Sequence, residues 1–220
     1  MNSKVVEPKI ELTNDLSIGY KERLAVSDGE IELGSGTHYL LARNGRGKTT
    51  LLRTLAGVLK PLGGKYACEG RCQLLSEDLT FDRELSAKII FKSMLPKAGF
   101  REALELAEKL ELDLKKPYGK LSTGNKRKVA LLVAEFSVKE GRSDILLLDE
   151  PFTGLDAFAR EIFQDLWARR DSGVLRLVSC HPDFDSMEME SSILISDGRI
   201  SHLSGGDNPR CWGDLKNQLN

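Results

Sequence analysis

The chain has 220 residues, enough for one large domain, or one domain with an inserted lobe, around a sizeable buried core. Its 32 Lys and Arg against 33 Asp and Glu leave a net charge of -1, so charge gives no reason to expect capture of nucleic acid or of an acidic membrane. No apolar run approaches the roughly 18 residues of a membrane span, and residues 1–11 lack the apolar core of a secretory leader. Membrane spans, if the protein works at a membrane, are expected from another chain. Cys68 and Cys72 are four apart with no paired Cys or His cluster facing them. With Cys180 and Cys211 they read as free thiols in a reduced compartment.

Short strands are predicted over Lys9–Thr13, Leu16–Tyr20 and Glu30–Leu33, separated by turn-rich Ser27-Asp28-Gly29 and Gly34-Ser35-Gly36. An apolar strand over Thr37–Ala42 runs into a glycine loop. A helix over Thr49–Ala56 follows, with Leu51, Leu52 and Leu55 on one side and Gly57 as its stop. From about Asp82 to Lys116 the pattern is helical, with Ala103, Leu104, Ala107 and Leu110 at helical spacing. The remaining predictions are a helix over Lys126–Phe136, a buried strand over Ile145–Leu148, a helix over Ile162–Arg169 and a strand over Val174–Ser179. Ile193–Ser196 and Arg199–His202 form a hairpin about Asp197-Gly198, a pair suited to a two-residue turn. Alternating strands and helices imply an α/β core.

The loop Ala42-Arg43-Asn44-Gly45-Arg46-Gly47-Lys48-Thr49-Thr50 joins the fourth strand to the first helix. It follows the phosphate-loop pattern G-x-x-x-x-G-K-[ST], except that Ala42 replaces the first glycine. Glycines let backbone N–H groups turn toward phosphate oxygens, and the helix start favours negative charge. Asn44, Gly45, Arg46, Gly47 and Thr50 would cradle a nucleotide, Lys48 would reach its terminal phosphates, and the Thr49 hydroxyl would face Mg²⁺. The Ala42 methyl is tolerated if φ is negative there. By itself this loop fits a GTPase or a small kinase as well.

Ile145–Leu148 delivers Asp149 and Glu150 at a strand end, where open α/β sheets place their ligands. Asp149 can hold Mg²⁺ and Glu150 can orient or deprotonate a water. A solvated acidic turn reads equally well from that segment in isolation.

Between these motifs lies Leu121-Ser122-Thr123-Gly124-Asn125-Lys126-Arg127. It resembles the signature segment LSGGQ of ATP-binding cassette (ABC) ATPases, keeping Leu121, Ser122 and Gly124 and departing at Thr123 and Asn125. The resemblance extends along most of the chain. Gly154-Leu155-Asp156 resembles the D-loop, and His181 stands where the family keeps a histidine that senses the γ-phosphate. Tyr20 stands where an aromatic ring stacks on adenine, with a core or edge tyrosine as the rival reading. Glu77 falls, by register, at the family's usual glutamine.

The resemblance implies a P-loop NTPase core with a mostly parallel sheet, an N-terminal antiparallel β subdomain and an inserted α-helical subdomain at approximately 82–140, all within a single domain of residues 1–220. It implies ATP and Mg²⁺ as cofactors, with Thr49, Glu77 and Asp149 toward the metal and Lys48, Glu150 and His181 as catalytic groups. Tyr20, the phosphate loop, Ser122, Thr123, Gly124 and Asp156 would contact nucleotide. Two cassettes would meet head to tail, as a homodimer, against a polytopic membrane permease on the cytoplasmic face of the membrane, with no nucleic acid. The expected function is the ATPase subunit of an ABC exporter. A non-transport cassette acting on a macromolecule, or a weakly hydrolysing one, is the alternative.

Overall fold

Ile145, Leu146, Leu147 and Leu148 are apolar at every position and buried at every position, as a strand covered on both faces requires. Around that strand the computed structural model describes residues 7–138, 144–170, 173–180, 188–204, 210–215 and 219. In chain order they form β1 (Lys9–Leu12), β2 (Ser17–Gly19), β3 (Arg23–Ser27), β4 (Ile31–Leu33), β5 (Gly36–Ala42) and α1 (Lys48–Leu55). Next come β6 (Tyr66–Glu69), β7 (Arg71–Leu75), α2 (Ala87–Met94), α3 (Lys97–Lys109) and α4 (Thr123–Phe136). The chain continues through β8 (Asp144–Leu148), α5 (Ala157–Arg169), β9 (Val174–Cys180), β10 (Glu188–Met189), β11 (Ser191–Ser196), β12 (Arg199–Ser204), β13 (Arg210–Cys211) and α6 (Trp212–Leu215).

The main sheet is mixed, with eight described strands in the order β2-β3-β12-β11-β5-β9-β8-β7. It is parallel from β11 through β5, β9 and β8 to β7. The central strands alternate strictly between two apolar cores. Tyr39, Leu41, Leu146, Leu148 and Val178 face the helices α2 to α5. Leu40, Ala42, Ile145, Leu147, Leu175 and Leu177 face α1 and the small antiparallel sheet β4-β1-β6. Burial of a leucine, isoleucine or valine side chain contributes about 1.5–3 kcal/mol each, so both faces carry stability.

The antiparallel region differs from expectation in its last strand. β6 pairs with β1 from beyond the phosphate-loop helix, in register Lys9↔Glu69 to Leu12↔Tyr66. The sequence predicts neither β6 nor β3, because their apolar runs, Tyr66 to Cys68 and Leu24 to Val26, are only three residues long. The helices expected from Lys126 and Ile162 begin earlier, at Thr123 and Ala157, each behind an N-cap. Ser122 accepts from the Asn125 N–H at 3.3 Å, and Asp156 accepts from the Ala159 N–H at 2.7 Å. The Asp197-Gly198 turn has φ of 49° and 71° at its two central residues, the positive pair that a type I′ hairpin demands.

A buried ion pair ties α4 to β9. Arg176 NH2 lies 3.0 Å from Glu135 Oε2, both side chains at most 1% exposed, and Arg176 Nε adds a contact at 3.1 Å. Among the described residues no helix is long and apolar enough to cross a membrane.

Candidate functional site

The carboxyl ends of β5, β7 and β8 open onto one cleft of about 720 Å³. Such a volume is ordinary for a small-molecule site, which spans about 300–1,000 Å³. Arg43, Asn44, Gly45, Gly47, Lys48, Thr49 and Thr50 line one side, and Glu77, Glu150 and the segment Phe152–Gly154 line the other. The two motifs that the sequence leaves separately ambiguous therefore share one cleft. Arg46, also predicted in the loop, is exposed and outside that lining.

The loop folds as its glycines dictate. Gly47, at φ 112°, sits where a Cβ would meet Ile18 Cδ1 at 3.3 Å. It is the N-cap of α1 and no side chain caps that end. The first-turn N–H groups are therefore available to anionic oxygens, reinforced by the helix dipole. Ala42 is a fully buried strand residue and is not among the residues with positive φ, so its methyl group costs the loop nothing. Its carbonyl accepts from Lys48 Nζ at 3.1 Å, and Glu150 Oε1 lies 3.5 Å from the same ammonium. Lys48 is only 6% exposed, so its charge is aimed along the cleft rather than shared with solvent.

Glu150 adopts φ 44°, a left-handed conformation that costs a non-glycine residue about 1–3 kcal/mol and persists only when its surroundings enforce it. Ser179, fully buried on β9, supplies much of that enforcement. Its hydroxyl accepts the Glu150 N–H at 2.7 Å and donates to Asp149 Oδ1 at 2.9 Å. Thr153 Oγ1 donates to Glu150 Oε2 at 3.3 Å. Sequence reasoning missed Ser179, because its partners lie 29 and 30 positions away on a neighbouring strand.

Thr49, Glu77 and Asp149 come together in a recess beside the main cleft, with Arg53, Ser76 and Asp78. Gln73 lies inside β7 and accepts from the Ser137 hydroxyl at 2.9 Å, so Glu77, past the strand end, is the residue that reaches the recess. Hydroxyl and carboxylate oxygens suit a hard divalent cation. Among the described residues no group of three or more His, Cys, Asp and Glu could hold a metal unaided. Arg127, buried on α4, lies in the field of Glu77, Asp149 and Glu150. Burial pulls its guanidinium below the ordinary value while those carboxylates oppose the shift. Sequence reading gave Arg127 no role beyond the end of the 121–127 segment.

The signature segment sits apart from this cleft. Ser122 and Thr123 are exposed, and neither lines it. Gly124 is joined to it through Gly154, since a Cβ on Gly124 would lie 2.5 Å from the Gly154 carbonyl oxygen. Asp156 caps α5, and Lys128 Nζ lies 3.6 Å from its Oδ2. The Ala159 N–H, helped by Lys128, holds the Asp156 carboxyl below the usual carboxylate range. Tyr20 is exposed in its own shallow recess with Lys21, Glu22 and Leu24. Arg53, from α1, donates to its hydroxyl at 3.2 Å. His181 lies outside the described residues.

With this geometry the chain can be compared with known proteins. The family model for ABC transporters matches residues 27–153, which is more than half of the chain. The chain belongs to the ABC transporter ATP-binding family. This ABC ATPase is 33% identical to the aliphatic sulfonates import ATP-binding protein of Mycobacterium avium, over 87% of this chain and 79% of the relative. It is 29% identical to an uncharacterized ABC transporter ATP-binding protein of Methanocaldococcus jannaschii, over 80% of this chain and 69% of the relative. A bacterial Atm1-family ABC exporter solved with ATP bound matches the fold at TM-score 0.73 and 17% identity, over 99% of this chain and 41% of that chain. As an ABC ATPase the protein binds and hydrolyses ATP, and the mixed sheet with helices on both faces is the P-loop fold of that family.

Proposed function

We propose that this ABC ATPase powers export through a separate polytopic membrane permease, working as a head-to-tail homodimer with Mg-ATP at each interface. The observation that carries this reading is the shared cleft, where the Lys48 ammonium, the N-terminus of α1 and the Glu150 carboxylate face one space. Lys48 and the loop N–H groups would hold the β- and γ-phosphates and spread the charge that develops as the terminal phosphoryl group transfers. Glu150, fixed by Ser179 and Thr153, would orient the attacking water and take its proton. Thr49, Asp149 and Glu77 would hold Mg²⁺ directly or through water; the cation supplies charge neutralisation at the phosphate oxygens. Tyr20 would stack on adenine, with Arg53 setting its ring. Ser122, Thr123 and Gly124 would meet the γ-phosphate held by the second cassette, and Asp156 would sit at the same interface. His181 would sense the γ-phosphate, as the family's histidine does.

In this reading residues 1–220 act as one ATPase domain at the cytoplasmic face of the membrane. Within the helical subdomain of approximately 82–140, the lobe near residues 82–118 would dock the permease. ATP binds both halves, so it stabilises the closed dimer, and hydrolysis releases it. Export is inferred from the form of the 121–127 segment. Import is the second reading, favoured by the name of the Mycobacterium avium relative.

Tagged Glu150→Gln protein, pulled from detergent-solubilised membranes in Mg-ATP, tests the partner. A polytopic membrane protein in stoichiometric amount supports the proposal; recovery of soluble proteins or nucleic acid instead overturns it. Vesicles reconstituted with the complex then decide direction, by whether added ATP moves cargo toward or away from the cassette side.

A further inference from the structure

Away from the nucleotide cleft, two thiols meet where the two sheets join. Cys68 lies on β6 of the antiparallel sheet, and Cys72 lies on β7 at the edge of the main sheet. Between them the chain bends at Gly70, with φ 144°. Both sulfurs converge on one acceptor, the Leu55 carbonyl oxygen at the end of α1, at 3.7 and 3.9 Å. Neither is in a disulfide. Both are half-buried against the core that contains α1, so they are sheltered but not sealed. Two sulfurs gathered on one acceptor can be carried by side-chain rotation toward the bonded separation of about 2.05 Å.

We propose that Cys68 and Cys72 form a reversible dithiol–disulfide site oxidised by peroxides. Cys68 is the attacking sulfur. The neighbouring Cys72 thiol holds its pKa below the usual thiol value, whereas the Cys68 sulfur and burial push the Cys72 pKa up. The Cys68 thiolate attacks one peroxide oxygen and the O–O bond breaks. The leaving hydroxide takes up a proton as water, and Cys68 becomes a sulfenic acid. Cys72 sulfur then attacks Cys68 sulfur, the S–O bond breaks, and the Cys72 proton leaves with the hydroxyl as a second water. Two thiols lose two electrons and two protons while hydrogen peroxide is reduced to water. A dithiol reductant reverses the bond by exchange. The Leu55 carbonyl, at the negative end of α1, opposes the thiolate, so the site reacts at the pace of an ordinary thiol. The disulfide would staple β6 to β7 and withdraw both S–H donors from the last turn of the helix that begins at the phosphate loop.

Trypsin provides a direct readout, because Lys65, Arg71 and Arg83 put the two cysteines on separate peptides, 66–71 and 72–83. Full-length protein is reduced under nitrogen, desalted, and exposed to graded hydrogen peroxide before thiol blocking and mass spectrometry. The expected result is a linked pair of these two peptides that disappears on treatment with dithiothreitol. Cys72→Ser protein should instead accumulate a dimedone-reactive sulfenic acid at Cys68, and Cys68→Ser protein should give no linked pair. Absence of the linked pair from wild-type protein at every peroxide dose overturns the proposal, as does bonding of either cysteine to Cys180 or Cys211 in its place. Trapping at Cys72 rather than Cys68 would overturn the assigned order of attack.

Discussion

The phosphate loop and the signature segment both present backbone N–H groups at the start of a helix, yet the fold treats them in opposite ways. The helix end of the loop is enclosed: Gly47, Lys48 and Thr50 are buried while residues 43–46 are exposed, and Glu77 and Glu150 of the same chain line the cleft with it. The signature segment stands open, with Ser122 and Thr123 exposed and joined to the cleft only through the Gly124–Gly154 contact. A single chain can therefore build the nucleotide's binding wall, while the surface proposed to meet the γ-phosphate from the other side faces outward. The Glu135–Arg176 pair links the two, since Glu135 rides on the signature helix and Arg176 on the strand that carries Ser179.

Four substitutions break or sharpen that contrast. Glu150→Gln attacks the enclosed half at its chemistry, and its ATPase rate should fall by about 10²–10⁴. ATP binding, followed by filter assay or fluorescent nucleotide, should persist; normal turnover would remove Glu150 from its proposed role. Glu135→Ala cuts the link and leaves Arg176 buried without its carboxylate. Stability to urea should drop by about 3–5 kcal/mol, and a change below about 1 kcal/mol would deny the pair that function. Ser179→Ala removes the hydrogen bonds that hold Asp149 and Glu150. A loss of about 1.5–3 kcal/mol of positioning, roughly tenfold to a hundredfold in kcat, should appear with KM little changed and with recovery in Ser179→Thr. Gly124→Ala forces the open half away from Gly154 at a cost of about 1–3 kcal/mol. It should weaken ATP-driven dimerisation, seen by light scattering on the Glu150→Gln background, while nucleotide binding by the single chain stays intact. An equal loss of both would erase the distinction between the halves.

Much of the enclosed half was legible in the sequence, because short-range rules govern it. A strand, a glycine loop and a capped helix each carry a local signature, as does the Asp197-Gly198 turn. Glu77 could be placed by register with the family's usual glutamine, and the structure puts it beside Thr49 and Asp149. What could not be read depends on neighbours distant in sequence. β6 is a strand by virtue of its pairing with β1 rather than its own pattern, and Ser179 matters only because β9 lies beside β8. Arg127 likewise gains its position from the packing of α4 against the acidic strand end. Ala42, a departure from the loop pattern, proved harmless once its backbone was seen to be an ordinary extended strand.

The strict alternation along β8 makes that strand a ruler with a two-residue graduation. Ile145 and Leu147 index one core, Leu146 and Leu148 the other, and the count fixes which of the next two carboxylates turns toward Ser179 and which toward Lys48. Inserting one residue between Asp144 and Leu148 would therefore slide the acids by one post, leaving Leu148 where Asp149 stands and Asp149 where Glu150 stands. For a designer, the length of this hydrophobic strand is as much a part of the active site as the acids it delivers.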